Sequence, residues 1–456
     1  MYHKALYIFI LFTYTINAQN CVENVTCSDD TVSVLISDGT IYNWGKNDYG
    51  QLGIGTSTTE DSPVLFGAIS DWDTLTYGRL HSAGLKTDGT IWSWGNNDLG
   101  QLGYGNNITS NAPIQVGNES DWTAISAGNL HSVALKNDGT LWGWGNNQGG
   151  ELLNTVTSSS SYNTPVQIST ATDWDKIYAA YFRTFGIKQD GTLWGRGNGS
   201  FGAVGIGQAG FVQEFTQIGS DSDWVKISTA RSYHVLALKS NGTLWAWGSN
   251  ENGRLGDGTT TNRLVPTQIG NSQWKDIAAG NFHSLGIKAD GTLWQWGSYG
   301  WIDGQMLIPN SMIPVQVGTD NDWKSITAGT SISFAVKEDN TLWGWGFNTL
   351  GWLGNNSTVS TANPVLIIDC VNLSTSNFET NAISIYPNPT EDDLNWSGNI
   401  TEGSFEIINI IGQKVITGKI DLNKKEINVS TIPTGIYVFI IKTNEGNLYR
   451  CKFLKK

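Results

Sequence analysis

The sequence predicts an all-β protein: a seven-bladed β-propeller followed by a small C-terminal β-sandwich. Three observations carry this. A unit of about 50 residues recurs seven times, marked by Asp-Gly-Thr or its equivalents at spacings of 50, 50, 52, 51, 49 and 49. Eighteen of the 21 tryptophans stand at repeat positions. After Cys370 the repeat stops and a different set of short alternating strands begins.

Bulk properties set the frame. A chain of 456 residues with 15% charged side chains, 54 glycines and abundant aromatics suits a large all-β domain rich in tight turns, not a disordered one. The formal net charge is −13, and residues 371–456 carry nine basic and nine acidic side chains, so the excess lies in the first 370. An acidic body of this kind argues against DNA, RNA or anionic lipid as the main partner.

The N-terminus reads as a signal peptide over residues 1–18. Lys4 precedes a short apolar run, Ala5 to Phe12, and Ala18 offers a small residue before Gln19. The run is too short to span a bilayer, and no later stretch is long enough. The mature chain is therefore expected outside the cytoplasm, in an oxidising compartment.

The third unit shows the physical content of the repeat. Trp122 to Ala127 and His131 to Lys136 alternate apolar and polar residues, the period of half-buried strands. Asp138-Gly139-Thr140 is the turn, since Asp-Gly accepts the positive φ of a tight hairpin. Leu141 to Trp144 returns, a glycine loop follows, and Pro165 to Ile168 gives a fourth strand. Four strands per unit is the size of a propeller blade. One such sheet cannot bury both faces, whereas a ring of seven can. The repeated tryptophans are accordingly expected in the core.

The pattern Asp121-Trp122, His131-Ser132, Ala134-Leu135-Lys136, Asp138-Gly139-Thr140-Leu141-Trp142 and Trp144-Gly145, with Gly-Gln-Leu-Gly as at 100–103, resembles the regulator of chromosome condensation repeat over about residues 21–370. The resemblance implies a seven-bladed propeller. The family's founding member exchanges nucleotide on a small GTPase and docks on chromatin. An exported chain without a basic tail is not expected to do either. Other members of that fold are secreted protein binders.

Aligning the first and seventh units brings Cys21 to the seam with Cys370, and a disulfide between them is expected; a Cys21–Cys27 pair and free thiols are the alternatives. Val371 to Thr380 reads as a linker, giving a propeller at 19–370, a linker at 371–380 and a second domain at 381–456. In the last, strands are expected over Phe405 to Ile410, Lys414 to Ile416 and Gly435 to Ile440, with a turn at Ile411-Gly412-Gln413. Tyr386-Pro387-Asn388-Pro389, Asn409 to Val415, Ile432-Pro433-Thr434-Gly435-Ile436-Tyr437 and the basic tail resemble the C-terminal sorting domain of the type IX secretion system of the Bacteroidetes. That implies passage through the outer membrane and a partnership with the secretion machinery.

Catalytic and cofactor signatures are missing. His81, His131, His234 and His283 occupy one repeat position and belong to different units, so they read as structural. Asp221/Asp223 and Asp320/Asp322 pair carboxylates, but one of each is the repeat Asp. No zinc spacing, phosphate loop or nucleophile–base arrangement is present, and no cofactor is expected. Function then belongs to whatever breaks the repeat. Trp301 and Trp352 stand at loop positions of adjacent units, and Tyr181, Phe182 and Arg183 replace the usual residues around the histidine position. These five are the expected partner-binding residues. The leading expectation is a non-catalytic module binding a protein; a glycan-binding module is the alternative, and an enzyme acting on polysaccharide a third reading.

Overall fold

The computed structural model describes residues 19–37, 39–67, 71–153, 161–229, 233–299, 301–302, 305–306, 308–369, 371–372, 383–398, 402–409, 414–420, 424–443 and 448–456. The signal-peptide stretch 1–18, Asp38, Cys370 and the turn at Ile411-Gly412-Gln413 lie outside them. The chain divides into two compact units, one of which is Val22–Asp369.

The larger unit consists of seven repeats in sequence order: five are separate four-stranded antiparallel sheets, and the fifth and sixth are joined into one seven-stranded sheet. In the third repeat the strands are Trp122–Ala127, His131–Lys136, Leu141–Asn146 and Ser161–Ser169. The outermost strand exceeds the expected Pro165 to Ile168 because a register shift past Gly143 lets Gly145 and Asn146 pair with Tyr162 and Ser161. The fifth and sixth sheets share one continuous strand, Arg263–Ala279. Its first part is outermost in the fifth sheet, with Gly248 opposite Arg263. Its last part is innermost in the sixth, with Trp274 opposite Lys288.

The repeated residues form a small set of recurring bonds. In the turn, Thr140 donates to Asp138 Oδ1 from both its backbone N–H (2.9 Å) and its hydroxyl (2.6 Å), and Trp142 Nε1 donates to Thr140 Oγ1 at 2.9 Å. Asn241 does the same in the fifth unit, because its amide oxygen stands where the carboxylate would. In the seventh, Asn340 takes the glycine position at φ 63°, which Asn tolerates better than most residues.

The Trp-Gly indoles, Trp44, Trp94, Trp144, Trp247, Trp296 and Trp345, are fully buried. Each sits between neighbouring sheets: Trp94 Nε1 donates to Gln51 O and Trp296 Nε1 to Arg254 O, both at 2.9 Å. The glycine loop of the preceding unit packs on the ring, and a Cβ on Gly103 would lie 2.6 Å from Trp144 Nε1. The second tryptophan set makes a cage. Lys136 Nζ lies 4.7 Å from the Trp122 ring and 4.9 Å from the Trp142 ring, while pairing with Asp121 at 3.3 Å. Lys86, Lys188, Lys239 and Lys337 repeat the arrangement. A lysine between two rings keeps its charge in contact with carboxylate while its stem covers apolar surface.

Adjacent sheets are joined by three backbone-directed bonds. The Ala127 N–H donates to Thr76 Oγ1 (3.1 Å), the Trp122 N–H to Gly89 O (3.2 Å) and the Asn281 N–H to Gly329 O (3.2 Å). The seventh and first sheets meet through the same three: Cys27 N–H to Thr327 Oγ1 (3.3 Å), Val22 N–H to Asn340 O (3.1 Å) and Thr330 N–H to Asp29 O (3.0 Å). The ring is therefore closed. The innermost strands surround an axial cavity of about 280 Å³.

In the other unit, Gln19 and Asn20 pair with Asn372 and Val371, so the segment expected to be a linker begins with a short strand. Two sheets follow. Ile383–Tyr386, Asp393–Gly398 and Glu426–Asn428 form one. Lys414–Lys419, Gly403–Asn409, Gly435–Thr443 and Leu448–Lys455 form the other, in that spatial order. Leu394, Trp396 and Ile427 from the first pack with Ile407, Phe439, Ile441 and Phe453 from the second in one core. The basic tail is thus the last strand of a sheet, with Phe453 and Lys455 buried.

Candidate functional site

The loops joining first to second strands, and third to outermost strands, share one end of the ring, because strand direction alternates. In the second and third units the residue before the histidine position is Leu80 or Leu130. In the fourth, fifth and sixth it is Phe182, Tyr233 or Phe282, with Tyr181 one residue earlier in the fourth. Phe201 joins them from the loop after the third strand of the fourth unit.

These residues gather at one cleft of about 670 Å³. The Tyr181 ring lies 5.6 Å from Tyr233, and Tyr233 lies 5.2 Å from Phe201, both edge to face. Phe182 packs against Tyr181 at 4.3 Å. Phe201 and Phe282 are 48% and 40% exposed, so two rings face solvent at the rim. Arg183 is fully buried, with its guanidinium 5.0 Å from the Tyr233 ring, and burial pushes it down to about 10. Arg254 lies 5.8 Å from the Phe282 ring and pairs with Glu251 at 3.0 Å. Asn281, Asn252 and Asn262 complete the polar lining.

Of the five residues expected from sequence, Tyr181 lines the cleft, while Phe182 and the buried Arg183 pack behind its Tyr181 and Tyr233 rings. Trp352 does not line this cleft: it is half-buried in the seventh unit, its ring is 5.4 Å from Phe347, and its carbonyl accepts Trp44 Nε1 at 2.9 Å. Trp301 begins a two-residue strand paired with Gln305–Met306, and its side chain is outside the described set. Tyr233, Phe282 and Phe201 were missed. Aligning the residue before each histidine position would have shown the first two.

The histidines act between units. Ser132 Oγ donates to Gln101 O (3.0 Å), so its oxygen is left to accept from His81 Nε2 at 3.0 Å. His234 pairs with Ser284 in the same way at 3.0 Å, Ser284 donating to Arg254 O, while His283 pairs at 2.9 Å with Ser333, whose hydroxyl also bonds Tyr299 OH. Burial pushes His81, His131 and His283 down to about 3, and His234 well below its ordinary value, so all are neutral. The carboxylate pairs are occupied: Asp221 and Asp223 hold Lys239 at 2.7 and 3.0 Å, and Asp320 and Asp322 hold Lys337 at 2.7 and 3.1 Å. Arg196, replacing a Trp-Gly indole, donates from Nε to Gly150 O at 3.0 Å. Near it burial pushes the Glu151 carboxyl up to about 7. Among the described residues no three His, Cys, Asp or Glu side chains are grouped to hold a metal.

A closed ring of repeat sheets carrying a loop-face cleft, and followed by a two-sheet sandwich, defines a β-propeller protein with an accessory domain. The chain belongs to the RCC1-like domain family, whose model matches residues 11–300 and 75–385. Residues 384–456 match the secretion system C-terminal sorting domain. The protein is therefore exported by the type IX route to the cell surface or beyond. No helix among the described residues is long and apolar enough to cross a membrane.

The E3 ubiquitin-protein ligase HERC2 of Homo sapiens is 29% identical over 104 residues, 22% of this chain and 2% of that protein; the Mus musculus protein is 28% identical over the same length. The match thus spans only a small fraction of those relatives. Human WBSCR16 superposes with a TM-score of 0.64 at 20% identity, covering 72% of this chain and 95% of that one. Prp20p of Saccharomyces cerevisiae, studied for its binding to Gsp1p and histones, gives 0.63 at 22% identity, covering 74% and 87%. Likeness at this level is one of fold.

Proposed function

We propose that this is an exported, non-catalytic binding module whose ligand docks on the loop face of the fourth to sixth units. The observation that carries this is the aromatic cleft, in which Tyr181, Phe201, Tyr233 and Phe282 come together with Phe201 and Phe282 exposed at its rim. The histidines are engaged in bonds between units and the paired carboxylates in ion pairs with the lysine of their own unit, which supports a non-catalytic reading. A cavity of about 670 Å³ accommodates either a protein loop or a glycan. The test is capture of ligand from the extracellular fraction by the full chain and by a Phe201→Ala, Phe282→Ala double variant. Loss of capture with an unchanged melting profile is expected. Equal capture by both would sink the assignment to this face, and turnover of the captured material would sink the non-catalytic reading.

Two further expectations belong to the same reading: an export signal at 1–18 and a Cys21–Cys370 disulfide. Cys21 is buried, Gln19 and Asn20 pair with the strand just past Cys370, and Cys27 carries an unbridged thiol, which supports this pairing over Cys21–Cys27. On the chain-entropy model so long a loop contributes about 5–6 kcal/mol. Non-reducing peptide mapping that finds Cys21 as a thiol excludes it.

A further inference from the structure

The lining of the cleft has a one-sided chemistry. Among the described residues its apolar side chains, Tyr181, Phe201, Tyr233 and Phe282, are all aromatic, and none of the lining side chains is aliphatic. The rest are chiefly amides and hydroxyls, with Glu251 at the edge, 74% exposed. The loops spend their main chain internally: the Asn198, Ser249 and Ser298 N–H groups donate to Phe182, Tyr233 and Phe282 O at 2.8, 2.8 and 2.9 Å. An added peptide strand needs a free sheet edge, and this cleft offers none. A sugar ring needs the opposite. It presents a flat face of C–H bonds to stack on an aromatic ring and a rim of hydroxyls that amides and carboxylates can hold from both donor and acceptor sides.

The platform is also built in advance. Phe201 sits at φ 61°, a left-handed conformation that a bulky side chain avoids; at the same loop position Asn252 shares it at φ 59°, whereas Tyr49, Leu99 and Leu350 do not. Such an outlier points to a constraint other than folding. Tyr233 is held edge-on by both Phe201 and Tyr181, with the Arg183 guanidinium behind it. Rings fixed in this way lose little freedom when a ligand arrives. The chain's net charge of −13 disfavours a polyanion, and among the described lining residues the one cation, Arg254, is already engaged by Glu251.

We propose that the cleft is a carbohydrate site for a short neutral oligosaccharide, with sugar rings stacked on Phe201 and Phe282 and hydroxyls held by Asn252, Asn262 and Glu251. This rests on the reading of the loop face as the binding face and names its ligand class.

The test uses the full mature chain against disaccharides to hexasaccharides of the cello-, xylo-, manno-, laminari- and chito- series, screened on an array and quantified by calorimetry. At least one series should bind. Phe201→Ala and Phe282→Ala should each weaken it tenfold or more without moving the melting profile, and Trp352→Ala should leave it unchanged. Binding that survives both aromatic variants overturns the site, and an absence of binding across the panel overturns the carbohydrate assignment. If a captured protein is lost with both variants while no saccharide binds, the ligand class falls and the face stands. If neither variant affects any ligand, both fall.

Discussion

Acidification should destabilise the ring through its histidines before most carboxylates titrate. His81, His131, His234 and His283 are buried and neutral, and burial holds three of them at about 3. An unfolded chain protonates the same rings near 6.5. Between those values the unfolded state binds protons that the folded state refuses, so stability is intact above about pH 6.5 and falls as pH drops towards 3. At pH 5.0 each ring costs about 2 kcal/mol relative to pH 7.5, or about 8 kcal/mol for four. Glu151 acts in the opposite sense. Its carboxyl is raised to about 7, so protonation on the way down returns about 2 kcal/mol. The net loss of about 6 kcal/mol is comparable with the whole stability of an ordinary domain. Urea unfolding of the full chain, followed by tryptophan fluorescence from pH 7.5 to 5.0, measures it. His283→Gln should lower the pH slope by about one proton, because the amide can bond Ser333 Oγ as donor or acceptor but does not titrate. Imidazole resonances that titrate near 6.5 in the folded chain, or a slope unmoved by the substitution, would refute the reasoning.

Three other outcomes follow from the repeat. Thr140→Val leaves the Trp142 indole N–H without its acceptor and should cost about 1–3 kcal/mol by urea midpoint, while Thr140→Ser should be nearly neutral. Gly103→Ala places a Cβ 2.6 Å from Trp144 at φ 77° and should cost more than about 2 kcal/mol, visible as a lowered thermal midpoint. Lys136→Met keeps the stem between Trp122 and Trp142 but removes the charge; a loss of about 0.5–2 kcal/mol that shrinks little with salt is expected, since the rings shield the amine.

Much of the fold was legible because its signals are local. Asp-Gly-Thr forces a turn wherever it occurs, and Trp122 to Ala127 shows its period without knowledge of neighbours. The lysine cage was not, since Lys136 at a strand end reads as an ordinary solvated charge until the fold brings two tryptophans around it. The cleft was half legible. Tyr181 to Arg183 stood out as a break in pattern, but Tyr233 and Phe282 replace Leu by another apolar residue and hide in a hydrophobic pattern. Trp352 shows the converse: conspicuous in sequence at a loop position, it lies apart from this cleft, packed on Phe347 with its carbonyl bonded to Trp44 of the first unit. The strand Arg263–Ala279 shows a further limit, because nothing in its sequence announces that two sheets share one strand.

The boundary between the seventh and first sheets uses bonds found at other boundaries, Cys27 to Thr327 as Ala127 to Thr76 and Val22 to Asn340 as Trp122 to Gly89. Mechanically, then, the circle has no privileged origin. Its numbering is an accident of where the gene opens. A gene reopened at another hairpin, with the old ends spliced together, would still encode the same wheel. Units could likewise be shuffled in evolution with the closing joint ready-made at any point.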